Sequence, residues 1–171
     1  MKFLEAYKDY IGDGSFNNVS EIDSDWVLKE PIKSGNDRCV LKNQEDVYDT
    51  YNNHIKTMQA HPEIFPKVKR LSKYRAAIER CNVHKAQSMF DKFLAKLPEE
   101  YSEIFTEVVF LMGGKLRDEI LNYIKYNFLH DELCKKIYNF TLKVIAALGT
   151  CDFHMGNIGI DKKGELKLID F

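Results

Sequence analysis

Asp152-Phe153-His154-Met155-Gly156-Asn157, continued by Ile158-Gly159-Ile160, Asp161-Lys162-Lys163-Gly164, Glu165-Leu166-Lys167-Leu168-Ile169 and the final Asp170-Phe171, decides how this 171-residue chain is read. Residues 158–160 and 165–169 have the apolar patterning of short strands, and the polar tetrapeptide between them ends in a glycine suited to a tight turn. A hairpin of that form carries Asp170 back to the neighbourhood of Asn157. The chain therefore offers an acid, an amide five positions later and a second acid thirteen positions beyond it. The amide and the second acid are hard oxygen donors, and magnesium accepts one or two such groups from a protein. Asp152 is left to orient or deprotonate a hydroxyl.

These residues resemble the protein-kinase-like superfamily, whose catalytic loop D-x-x-x-x-N is followed by a hairpin and then D-F-G. The wording D-F-H-M-G-N is similar to the D-L-H-x-G-N style of aminoglycoside-phosphotransferase-like enzymes and small bacterial or viral kinases. The resemblance implies ATP as phosphoryl donor, Asp152 as the group that orients the nucleophile, and Asn157 and Asp170 as magnesium ligands. It also implies a contact between His154 and the transferring phosphate, where a hydrogen-bonding or positive group stabilises developing charge. Two features depart from the pattern. Thr150 and Cys151 stand where His-Arg or His-Gly usually precede the aspartate, and the sequence stops at Phe171, before the glycine of D-F-G. The activation segment and peptide-docking helices of protein kinases would lie beyond that point.

Gly12-Asp13-Gly14-Ser15-Phe16-Asn17-Asn18-Val19 follows the kinase glycine-loop pattern G-x-G-x-x-G-x-V, with Asn17 in place of the third glycine. Gly12 and Gly14 let backbone amides approach phosphates, Phe16 can close over them, and asparagine tolerates left-handed backbone angles. In isolation the octapeptide reads as an ordinary turn. A strand with Val27-Leu28-Lys29 follows it and resembles the V-A-I-K strand of kinases, with Lys29 as the phosphate lysine. The alternative for Lys29 is a surface residue on an edge strand. The carboxylate that would hold Lys29 belongs to a helix over residues 44–60, with Glu45 as first candidate and Asp46 and Asp49 as rivals. Acids in a first turn also simply favour the helix dipole. Val47, Tyr51, Ile55 and Met58 give that helix one apolar face, Asn43 caps it, and His61-Pro62 ends it.

Residues 68–71 and 74–78 read as two further strands, after which Glu79-Arg80-Cys81 falls where a kinase hinge would bind adenine through backbone groups. Ile78 would then lie against the ring, or be a plain core residue. From Lys85 the pattern becomes helical, over 85–97, 99–112, 115–128 and 131–148, punctuated by Pro98 and Gly113-Gly114. Leu133, Ile137, Phe140, Val144 and Leu148 form an apolar stripe on the last helix, most simply a core face. The fold class that follows is α+β: a two-lobed, kinase-like domain over 1–171, with an antiparallel N-terminal sheet and one helix over 1–80 and a truncated, mostly helical lobe over 81–171.

With 44% hydrophobic residues the chain can bury a core, and a formal net charge of −1 argues against bulk electrostatic binding to nucleic acid or anionic membrane. Cys39, Cys81, Cys134 and Cys151 have no metal-finger spacing and read as reduced thiols. The N-terminus lacks the apolar run of a signal peptide, and no segment is long enough to span a membrane. These features suit a cytoplasmic location, and the resemblance implies that of a microbial or virus-infected cell. The expected function is an ATP- and Mg2+-dependent phosphotransferase, a serine/threonine protein kinase of minimal type acting on a protein substrate. The alternatives are a small-molecule phosphotransferase of aminoglycoside or choline type, or an inactive nucleotide- or protein-binding module.

Overall fold

A computed structural model describes residues 10–13, 17–33, 43–149 and 155–170, and the chain divides into two units, Met1–Arg80 and Cys81–Phe171. The architecture is α+β. In the first unit, β1 (Tyr10–Asp13), β2 (Asn17–Glu21), β3 (Trp26–Pro31), β4 (Val68–Ser72) and β5 (Arg75–Glu79) form one antiparallel sheet in the order β1-β2-β3-β5-β4. Asp23 shapes the β2–β3 turn, its Oδ1 accepting from the backbone N–H of Asp25 at 2.7 Å and of Trp26 at 2.9 Å. β3 is the middle strand, and its register sets Val19, Lys29 and Ala76 side by side.

Helix α1 (Gln44–Ala60) lies between β3 and β4 in the chain. Asn43 caps it by accepting from the Asp46 N–H at 2.8 Å, and Val47, Tyr51, Ile55 and Met58 are its buried residues, the face expected from the 3.6-residue period. The Tyr51 hydroxyl donates to the Lys29 carbonyl at 3.0 Å, tying α1 to the middle strand. The Arg70 guanidinium bonds the Asn52 side chain and the carbonyls of Ser72 and Lys73, holding the β4–β5 turn to the same helix. In the turn after α1, Ile64 and Phe65 are fully buried.

The second unit contains α2 (Val83–Leu94), α3 (Glu99–Ser102), a π-helical segment (Glu107–Met112), α4 (Gly114–Phe128) and α5 (Glu132–Leu148), then a 3-10 turn (Met155–Asn157) leading into β6 (Ile158–Ile160) and β7 (Leu166–Leu168). Pattern alone had α2 starting at Lys85; Asn82 moves the start earlier by capping it, its Oδ1 accepting from the Lys85 N–H at 2.8 Å. The single helix expected over 99–112 is broken. Phe105 and Phe110 stack edge to face with centroids 6.1 Å apart, and Phe105 meets Phe93 at 5.1 Å. The π-helical segment that follows Phe105 is closed by the Gly113 N–H donating to the Val108 carbonyl, five residues back, at 2.9 Å. Gly113 (φ 68°) and Gly114 (φ 79°) then reverse the chain into α4 in a backbone region that favours glycine.

On α5 the buried face is Cys134, Ile137, Phe140, Thr141 and Val144, so the stripe is rotated from the one expected and Leu133 and Leu148 are half-buried. Asp131 caps this helix at the Cys134 N–H, 3.0 Å away, and also pairs with Lys96. The ammonium of Lys96 holds the Asp131 carboxyl well below the usual carboxylate range, reinforced by the Cys134 backbone bond. Burial pushes the Cys134 thiol up to about 11, with Asp131 adding to the shift. Among the described residues no helix is long and apolar enough to cross a membrane.

Candidate functional site

Lys29 sits at the centre of the sheet, only 3% exposed. The edge-strand alternative for it does not hold, because β3 has β2 on one side and β5 on the other. Lysine is almost never buried to this degree without a charged or hydrogen-bonding counterpart. The register gives its surroundings: its row runs from Gly12 through Val19, Lys29 and Ala76 to Arg70, so the directly opposed neighbours of Lys29 are Val19 and the fully buried Ala76. Directly opposed residues of antiparallel strands share a face and alternate residues return to it. Val27 and Ile78, paired with each other, therefore lie on the Lys29 face, and Ile78 is a buried strand residue.

Glu45, Asp46 and Asp49 are all exposed on α1, so the helix presents its acids to solvent while its apolar stripe packs inward. Asp46 is engaged by Asn43 through both its backbone N–H and its carboxylate. Tyr51, rather than an acid, is the α1 side chain bonded to the backbone of the lysine strand. Its burial raises the Tyr51 phenol well above the ordinary tyrosine value, so it stays a neutral donor.

Glu79 ends β5, where it was expected to open a hinge. It is 8% exposed and its carboxylate lies 3.8 Å from the Lys67 ammonium. The Arg80 N–H donates to the Asp25 carbonyl at 2.8 Å, and Cys81 is half-buried. Of the residues singled out in the sequence, Gly14, Phe16, Asp152 and His154 lie outside the described residues, as do Cys39 and Cys151.

The hairpin that carries Asn157 and Asp170 takes the expected form. Ile158 pairs with Leu168 and Ile160 with Leu166, all four buried, while Gly164 (φ 83°) turns the loop. Asp161 fixes that loop by accepting from the N–H groups of Lys163 and Glu165, each at 2.9 Å. One further bond extends the ladder: the Ile169 N–H donates to the Asn157 carbonyl at 2.7 Å. Asp170 therefore directly follows the residue bonded to Asn157, and both Asn157 and Asp170 are half-buried. An amide oxygen and a carboxylate brought to one end of a short hairpin fit the hard, oxygen-preferring magnesium ion. Among the described residues no group of three or more His, Cys, Asp or Glu is assembled to hold a metal.

Two contacts seat this hairpin that sequence reasoning did not find. Asn82 exchanges backbone bonds with Ile160, donating at 2.8 Å and accepting at 3.1 Å, and so joins the hairpin edge through an isolated antiparallel bridge. Gly159 lies so close to Cys81 that a Cβ on it would be 2.4 Å from the Cys81 Cβ. The glycine in Ile158-Gly159-Ile160 was the available signal for a close backbone approach.

No family model matches the chain, and no curated protein does. Among solved structures, the streptomycin–ATP–APH(2")-IIa ternary complex, that of an aminoglycoside phosphotransferase, is similar over 99% of this chain and 67% of its own, with 16% sequence identity and a TM-score of 0.40. A match at that identity and score carries no inference about this chain's activity.

Proposed function

We propose that the chain is an ATP- and magnesium-dependent phosphotransferase that acts on a hydroxyl group. The observation that carries this reading is Lys29: a lysine 3% exposed in the middle strand, in the row of Gly12 and Val19. A buried ammonium between Val19 and Ala76, in a row that also carries Arg70, is suited to a polyphosphate, whose charge it offsets. In this reading Gly12, Gly14 and Phe16 cover the phosphates, Val19 and Ile78 contact the base, and backbone groups near Glu79 and Cys81 bind its edge. Glu45 would reach Lys29 through a change in the setting of α1, since it is exposed as described.

Asn157 and Asp170 would hold magnesium, which supplies charge neutralisation at the phosphates when bound. Asp152 orients the acceptor hydroxyl and takes its proton, while His154 contacts the phosphoryl group in flight. The acceptor proposed first is a protein serine or threonine. A small-molecule alcohol is the second reading, favoured by the helical stretch from Val83 to Leu148 that precedes the Asp152 loop.

The test is γ-phosphate transfer from labelled ATP with magnesium, comparing the chain with Asp152→Ala, Asp170→Ala and Lys29→Met, offered both a protein lysate and a panel of amino-alcohol compounds. Transfer that all three variants lose supports the reading, and the labelled product identifies the acceptor class. Magnesium-dependent ATP binding without transfer would make the protein a nucleotide-binding module. Absence of both transfer and binding overturns the proposal.

A further inference from the structure

Strand β4 is an edge of the first unit's sheet: among the described residues it has β5 on one side and no strand on the other. The bonding phase of the pair decides which backbone groups face outward. The Glu79 N–H donates to the Lys67 carbonyl at 2.9 Å, so Lys67 faces Glu79 as a bonded pair, and the next bonded pair along is Lys69 with Ala77. Val68 and Arg70, which alternate with them, turn their N–H and C=O groups away from β5. The side chains alternate as well, Lys67 and Lys69 on one face of the strand and Val68 and Arg70 on the other. Between positions 67 and 73 the chain carries Lys67, Lys69, Arg70 and Lys73 and no carboxylate, and Lys69, Arg70, Leu71 and Ser72 are all exposed.

In the middle of this stretch the cations are held in place by neutral groups. The Lys69 ammonium lies over the Trp26 ring, 4.1 Å from its centroid, and the Arg70 guanidinium bonds the Asn52 amide oxygen and two backbone carbonyls. Carboxylates reach only its ends: Glu79 lies 3.8 Å from the Lys67 ammonium, and Asp49 and Glu45 act at longer range on Lys73, which sits over the Tyr74 ring. Lysines on an edge guard a sheet against pairing with a second copy of itself, because like charges repel, yet the same charges attract a strand of opposite sign. We propose that β4 is a docking edge for an extended acidic segment of a partner protein, which adds to the sheet as a strand with acids on the face of Lys67 and Lys69 and β-branched residues on the face of Val68. Main-chain bonds to Val68 and Arg70 supply affinity, and the charge pairs select the partner. Leu71, 46% exposed at the register shift between Arg70 and Ser72, adds an apolar contact at the end of the strand. This interaction goes beyond the phosphotransferase reading and does not depend on it.

The probe is a fluorescein-labelled short peptide of alternating glutamate and valine, titrated against the full chain and followed by anisotropy, with a lysine–valine peptide as the like-charged control. Binding should weaken as salt rises and by about tenfold for Lys69→Glu, which reverses one cross-strand charge pair. Lys115→Glu, in the other unit, should leave it unchanged. Amide exchange supplies a readout that a purely ionic contact does not move: the Val68 and Arg70 N–H groups should slow when the peptide is present, and the Lys69 N–H, already paired with Ala77, should not. Val68→Pro removes an N–H that the sheet does not use, so it should abolish binding at an unchanged melting temperature. If that variant unfolds, exchange at Val68 and Arg70 in the unaltered chain decides. No binding by the unaltered chain, equal binding of the lysine–valine peptide, or binding that leaves both amides unprotected overturns the proposal. A short single-stranded oligonucleotide that displaces the peptide in full, with the two amides unprotected throughout, also overturns it and assigns the patch to nucleic acid.

Discussion

A Cβ placed on Gly159 would lie 2.4 Å from the Cys81 Cβ and 3.3 Å from the Cys81 carbonyl carbon, whereas relaxed carbon contacts sit at about 3.5–4.0 Å. Gly159→Ala therefore requires β6 and the Cys81 backbone to separate by roughly 1 Å, a distance well outside the give of a rotamer. The two segments are also bonded through Asn82 and Ile160, at 2.8 and 3.1 Å, so separation strains that pair as well. Overpacking of this kind costs about 1–3 kcal/mol. In a chain of 171 residues each kcal/mol lowers the melting temperature by about 2–4 °C. Urea unfolding of Gly159→Ala, Cys81→Gly and the double variant isolates the contact. Removing the Cys81 side chain deletes the 2.4 Å clash and leaves only contacts of 3.3 and 3.4 Å, so the double variant should regain more than half of the loss. A loss under about 0.5 kcal/mol, the ordinary range for a surface change, or strict additivity in the double variant, would refute the packing argument.

Tyr51→Phe should destabilise the first unit by about 0.5–1.5 kcal/mol in urea unfolding, because it removes the donor to the Lys29 carbonyl and little else. The Asp131 carboxyl is held below its unfolded value, chiefly by Lys96, so its contribution is present above about pH 4 and disappears as pH falls further. Melting temperatures between pH 5 and 2 should therefore fall less steeply for Asp131→Asn, which keeps the cap and loses the ion pair, than for the unaltered chain. With its thiol pushed up to about 11 and fully buried, Cys134 should alkylate far more slowly than Cys81 at pH 8, as read by site-resolved mass spectrometry. Equal rates would show that α5 opens readily.

Elements fixed by neighbours along the chain were legible, and those fixed by distant partners were not. Val47, Tyr51, Ile55 and Met58 declared α1 through a 3.6-residue period, with Asn43 and Pro62 at its borders. Asp161 to Gly164 declared the last hairpin, and with it the return of Asp170 towards Asn157. The break over 99–112 could not be seen, because nothing in the spacing of its apolar residues marks the change from α3 to the π-helical segment. The seclusion of Lys29 was equally hidden: a single lysine in an apolar strand carries no mark of whether strands will lie on both sides of it. Asn17 looked like a mild replacement for glycine until the sheet register buried it.

Asn82 belongs to two structures made at different times. Its side chain closes the first turn of α2 within three residues, a contact that forms on the timescale of helix growth. Its backbone pairs with Ile160, near the other end of the sequence, and that pairing needs the closure of a long loop. On a ribosome the cap can be complete while the strand partner is still untranslated, so the Asn157–Asp170 hairpin is a late arrival that docks on a prepared edge. Amide exchange at Asn82 and Ile160 should then slow together and last, timing the moment at which the second unit becomes whole.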